Sequence, residues 1–140
     1  MKKSELYNLI DTFVEREINE YAGEDTHVVE IPVEKNENIT ICGVYGKRGI
    51  DGVVVCISDP ELDDYIFYDV TSTVIEHPTK DGGYFKESSF EDKDVAVKSM
   101  YDTIIASLDN IECLLNTPYQ DLIDGNSKFN KTEMGYFAFY

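Results

Sequence analysis

Apolar and polar residues follow two different periods along this chain, and the switches between them mark its elements. Leu6, Leu9, Ile10, Phe13, Val14, Ile18 and Tyr21 recur every three to four residues, the spacing that gathers side chains on one face of a helix. Asp11, Glu15, Glu17 and Glu20 fall largely on the opposite face. Ser4 stands where a side-chain oxygen caps the first turn, and Gly23 where a left-handed residue ends a helix. From His27 the period becomes two. Val29, Ile31 and Val33 alternate with Val28, Glu30 and Pro32, the pattern of a strand with one wet face.

The same period predicts strands at 39–45 and 53–58, joined by a loop with glycines at 46, 49 and 52 that supply the positive φ of a tight hairpin. The longest strand candidate is 65–75. There Ile66, Tyr68, Val70 and Val74 share one parity, and Asp69, Thr71 and Thr73 the other. A short strand at 84–86 follows. Short connections make these neighbours antiparallel, because a parallel return needs a crossover of about a dozen residues. Period 3.6 then resumes. Val97, Met100, Tyr101, Ile104, Ile105, Leu108, Ile111 and Leu115 form a stripe that predicts one long helix over 89–116. Ser88-Ser-Phe-Glu91 has capping-box spacing, and Pro118 stops the helix.

The fold class is therefore α+β, with residues 1–140 as a single domain. It is an antiparallel β-meander of four to five strands, flanked by an N-terminal helix and a long helix near 89–116. The helix stripes cover one sheet face. The other carries Glu30, Thr40, Asp69, Thr71 and Thr73 and is expected to stay wet. The final residues include Tyr136, Phe137, Phe139 and Tyr140. So many aromatics are expected to dock, either on the sheet or in a homodimer contact.

Composition narrows the function classes. In 140 residues, 42% are hydrophobic, enough for a core. Twenty-eight acids against 12 bases leave a net charge of −16. That surplus excludes direct binding to nucleic acid or to an anionic membrane, both of which need a basic footprint. No run of 18 apolar residues spans a membrane, and MKKSELYNLI has no apolar signal core. Three cysteines, an odd number, at 42, 56 and 113 make no secreted disulfide framework. A reducing cytoplasm is the expected location.

Catalytic and metal-binding patterns are sparse. His27 and His77 are the only histidines, and their spacing does not bring them together. No HExxH, CxxC or P-loop motif occurs, so no metal or cofactor is implied. If the hairpin folds about Gly49, Cys42 lies opposite Cys56. Such pairs are about 4.5–5.5 Å apart at Cβ, usually somewhat too wide for a disulfide, so two reduced thiols are expected.

The charge is spread along the chain: −5 over residues 1–36, −8 over 37–96 and −3 over 97–140. Its densest cluster is Asp59, Glu61, Asp63 and Asp64; others are Glu15, Glu17, Glu20, Glu24 and Asp25, and Asp81, Glu87, Glu91, Asp92 and Asp94. The candidate contact residues are Asp59, Glu61, Asp63, Asp64, Glu87, Glu91, Asp92 and Asp94. Folding fixes such carboxylates in place, and duplex DNA carries about one negative charge per 1.7 Å of axis. The leading expectation is a non-enzymatic acidic protein-interaction module, an inhibitor that mimics nucleic-acid charge. These eight residues would occlude a basic, nucleic-acid-handling partner. In composition the chain is similar to DNA-mimicking antirestriction and anti-CRISPR proteins and to immunity proteins of nuclease toxins, without a shared motif. The alternatives are an ordinary acidic cytosolic domain with a structural, oligomerisation or small-ligand role, and a hydrolase using His27 or His77 with a carboxylate.

Overall fold

In the computed structural model, the described residues are 2–13, 18–20, 26–33, 37–46, 52–59, 61, 64–75, 77 and 93–132. Helix α1 (Lys3–Phe13) buries Leu6, Leu9 and Ile10 and leaves Tyr7, Asn8, Asp11 and Thr12 exposed, as its stripe dictates. Its start and end differ from expectation. Ser4 lies inside the first turn, where Leu6 N–H donates to the Lys2 carbonyl at 3.0 Å. Ile18, which the period assigned to the same helix, belongs to strand β1 (Ile18–Glu20). β1 pairs with β2 (Thr26–Pro32) through Ile18↔Val29 and Glu20↔His27. An available sheet edge outweighs helix propensity for these three residues.

Strands β3 (Ile39–Gly46), β4 (Gly52–Asp59) and β5 (Asp64–Asp69) extend the sheet, and β6 (Lys131–Thr132) closes its far edge. The order is sequential, β1-β2-β3-β4-β5-β6, and every pairing is antiparallel. This is the expected meander, with β1 and β6 added. The strand expected at 84–86 and the tail aromatics Tyr136, Phe137, Phe139 and Tyr140 lie outside the described residues.

One face of the sheet carries Val29, Ile31, Ile41, Val53, Val55, Ile57 and Tyr68, all fully buried. The helices pack there. Helix α2 (Lys93–Ala106) lies over β3 and β4. A Cβ at Gly43 would stand 2.7 Å from Ile104 Cδ1 and 2.9 Å from Met100 Cγ. The absent side chain therefore sets how closely α2 approaches the sheet. Helix α3 (Leu108–Leu115) contributes Leu108, Ile111 and Leu114. Helix α4 (Tyr119–Ile123) contributes Leu122, whose carbonyl accepts a buried hydrogen bond from Tyr68 Oη at 2.7 Å.

The single helix expected over 89–116 is broken at Ser107. Its N–H is shared between the Thr103 and Ile104 carbonyls at 3.2 and 3.0 Å, and its hydroxyl donates back to the Thr103 carbonyl at 2.9 Å. Such back-bonding bends helices. The helix begins at Lys93 among the described residues. The capping box at 88–91 lies outside them.

The second sheet face is not uniformly wet. Glu30 is exposed and Thr40 is half-buried, but Cys42, Val44 and Val54 are buried, with Cys56 and Phe67 packed partly against them; Thr73, expected on this face, lies past the end of β5 at Asp69. The signal was present in the run Val53-Val-Val-Cys-Ile57, which is apolar at both parities, as in strands buried on both faces.

The β3–β4 register also differs. Cys42 faces Val54, and Cys56 faces Thr40, a register offset by two residues from the one that folding about Gly49 implies. Registers two residues apart keep every apolar side chain on the same face, so only the turn separates them. The two thiols are diagonal neighbours, about 7–8 Å apart in such a geometry, and both are free.

Candidate functional site

The meander brings the β2–β3 and β4–β5 turns to one end of the sheet. Val33 N–H donates to the Ile39 carbonyl at 3.1 Å and closes the first turn. Ser58 N–H, in β4, donates to the Asn38 carbonyl at 2.8 Å and extends the β3–β4 ladder past Ile39↔Ile57. Glu37 and Glu61 project from this end and are exposed. Asp59 and Asp64 face each other as the last register pair of β4 and β5.

Asp59 itself is 8% exposed. Its Oδ1 accepts the Glu61 N–H at 3.1 Å, the side-chain turn that Asp forms readily at a hairpin. The carboxylate is thus committed to the turn rather than presented outward. Tyr119, at the start of α4, donates its hydroxyl to the Ser58 carbonyl. Burial, and then the negative charges of Asp59 and Glu61, push its phenol above the usual tyrosine range. Ionising it there would add a third anion to the same end.

Asp63, Glu87, Glu91 and Asp92 lie outside the described residues. Asp94 is placed by its backbone in α2, and its carboxylate lies outside the described side chains. Several acids outside the expected clusters have internal partners. Asp69 Oδ1 accepts the Thr71 N–H at 2.9 Å. Asp109 pairs with Lys3 at 2.6 Å across α3 and α1. Asp11 accepts from Tyr101 Oη at 3.1 Å.

His77 has a carboxylate beside it, Asp102, with Nε2 to Oδ2 at 2.6 Å. No sequence spacing signalled this contact, because 25 residues separate the pair. The His77 backbone N–H donates to Ser99 Oγ at 3.0 Å, and Ser99 is fully buried, which hides that hydroxyl from any substrate. The arrangement fastens the chain to α2. His27 is placed by its backbone in β2 opposite Tyr45, and its ring lies outside the described side chains. An open groove of about 340 Å³ at the β5–β6 edge is lined by Tyr65, Ile66, Phe67, Lys131 and Thr132, and it contains neither histidine.

Burial first, then the neighbouring Cys56 thiol and Glu30, pushes Cys42 up to about 12. Burial and Glu30 push Cys56 up to about 11. Both remain protonated thiols near neutral pH, poor nucleophiles. Cys113 is exposed. Among the described residues, no group of three His, Cys, Asp or Glu side chains is placed to hold a metal ion, and no helix is long and apolar enough to cross a membrane. Comparison with protein families, characterised proteins and solved structures finds no match to the chain.

Proposed function

We propose that the chain is a non-enzymatic, cytoplasmic binding module whose acidic sheet end docks on a basic protein partner. The observation that carries this reading is the Ser58–Asn38 hydrogen bond at 2.8 Å. It carries the β3–β4 pairing one residue further, to the end of the sheet where Glu37 and Glu61 are exposed. Negative charge fixed on a rigid end raises encounter rates with a basic surface by about 10–10³-fold. A basic groove that handles nucleic acid is the partner class such a surface suits, so the module acts as a charge-mimicking inhibitor. Glu61 and the neighbouring Asp63 and Asp64 supply the contact. Asp59 shapes the turn that presents them. The −16 charge supplies long-range attraction.

The test uses immobilised protein and the phosphocellulose-retained fraction of a cell lysate. Captured protein is released between about 50 and 200 mM salt, the range in which exposed charges become screened. Glu37→Lys with Glu61→Lys is expected to abolish capture and leave the circular dichroism spectrum unchanged, since both side chains are exposed. Capture that ignores salt, or that survives the double reversal, refutes the reading.

A further inference from the structure

We propose that residues 72–75, with His77, form a latch that opens from α2 and α3 as a unit while the sheet stays closed. The sequence pattern extends β5 to residue 75, but the strand ends at Asp69. Val70 makes the last backbone bond to the sheet, donating its N–H to the Val53 carbonyl at 3.0 Å. Thr71 then substitutes its side chain for the backbone. Its Oγ1 accepts the Val53 N–H at 2.9 Å and donates to the Val53 carbonyl at 3.3 Å.

From Ser72 onward, the hydrogen bonds among the described residues run to side chains of the helices. Ser72 N–H donates to Ser107 Oγ at 3.1 Å. Ile75 N–H donates to Thr103 Oγ1 at 3.0 Å, and that hydroxyl donates to the Ile75 carbonyl. His77 N–H donates to Ser99 Oγ, and its ring meets Asp102. Ser99, Thr103 and Ser107 are four residues apart, a rise of about 6 Å per step. The two residues from Ile75 to His77, about 6.6 Å when extended, nearly match one step, whereas Ser72 to Ile75 spends three residues on the other. One helix face is thus a row of acceptors for an extended backbone running antiparallel to it.

The two sides of this seam differ in burial. Ser99 and Ser107 are fully buried and Thr103 is 3% exposed. Ser72, Thr73 and Val74 face water, and Ile75 is only half-buried. The segment therefore contributes little apolar burial of its own, the condition for an element that opens below the global unfolding free energy. Opening transfers its amides from hydroxyls to water and breaks no bond between strands. The hinge lies between Val70, bound to the sheet, and Ser72, bound to the helix.

Native-state hydrogen exchange on the full chain, read amide by amide by NMR over low urea concentrations, tests the latch. Ser72, Ile75 and His77 are expected to exchange at least about 100-fold faster than Val54, Val55 and Ile57, with little urea dependence. Thr103→Val keeps the shape of the side chain and removes the acceptor. It is expected to speed exchange at Ile75 by about 5–10-fold and leave the sheet amides unchanged, whereas Thr103→Ser stays near wild type. Exchange of the segment in step with the sheet at every urea concentration overturns the proposal. So does Thr103→Val accelerating both sets equally.

Discussion

Gly43→Ala tests how the helical layer rests on the sheet. The glycine lies in β3 beneath α2, and an added Cβ would sit 2.7 Å from Ile104 Cδ1, 2.9 Å from Met100 Cγ and 3.0 Å from Val29 Cγ1. Two effects oppose each other. Alanine restricts the unfolded chain and gains about 0.4–1 kcal/mol. Overpacking a closed core costs about 1–3 kcal/mol. Met100 can swing aside, but Ile104 and Val29 are branched, fully buried and fixed by the helix and strand that carry them. Overpacking is expected to win by about 1–2 kcal/mol, seen as a lower urea midpoint at unchanged slope. A second variant identifies the clash. Ile104→Val removes the closest atom and alone costs about 0.5–1.5 kcal/mol. Combined with Gly43→Ala it is expected to cost less than the sum, with a coupling of at least about 0.5 kcal/mol. A Gly43→Ala protein as stable as wild type, or strict additivity in the double variant, refutes the close-approach reading.

Three further outcomes follow from buried groups. Tyr68→Phe keeps the ring and removes the buried hydrogen bond to the Leu122 carbonyl at 2.7 Å, leaving that carbonyl its longer bond from Gly125 N–H at 3.3 Å, so it is expected to cost about 0.5–1.5 kcal/mol; an unchanged urea midpoint would show that the bond contributes nothing net. A thiol reagent at neutral pH is expected to label Cys113 quickly, and Cys42 and Cys56 only on unfolding, as mass spectrometry of the labelled chain will show. Because burial raises Cys42 to about 12 from an ordinary value near 9, the unfolded chain loses that proton first. Stability is therefore expected to fall as pH rises through this window, with a shallower slope in Cys42→Ala; an identical slope in the variant would refute the assignment.

The antiparallel meander and the core face of α1 were legible in the sequence because each rests on one local periodicity. Val29, Ile31, Ile41, Val55 and Ile57 alternate, and Leu6, Leu9 and Ile10 repeat at helical spacing; all are buried in the structure. A local pattern also stated the acid surplus, but not its use. Asp59 and Asp69 read as surface charge, and tertiary placement turns both into fasteners of turns. Their role depends on which amide lies two residues on in a folded hairpin, and composition does not carry that geometry.

The sequence by itself determined which residues are apolar, in what period, and therefore the class of fold and the face each strand buries. Tertiary structure alone decided the register of β3 on β4, the capture of Ile18–Glu20 by a sheet edge, the break at Ser107 and the departure of 72–75 from the sheet. The physical reason is the same in each case. Side-chain periodicity is unchanged by a register shift of two residues, and a hydroxyl four residues from the next in a helix reads as neutral. Only when another segment brings its unpaired N–H groups to Ser99, Thr103 and Ser107 do those hydroxyls acquire partners, and those partners are many residues away along the chain.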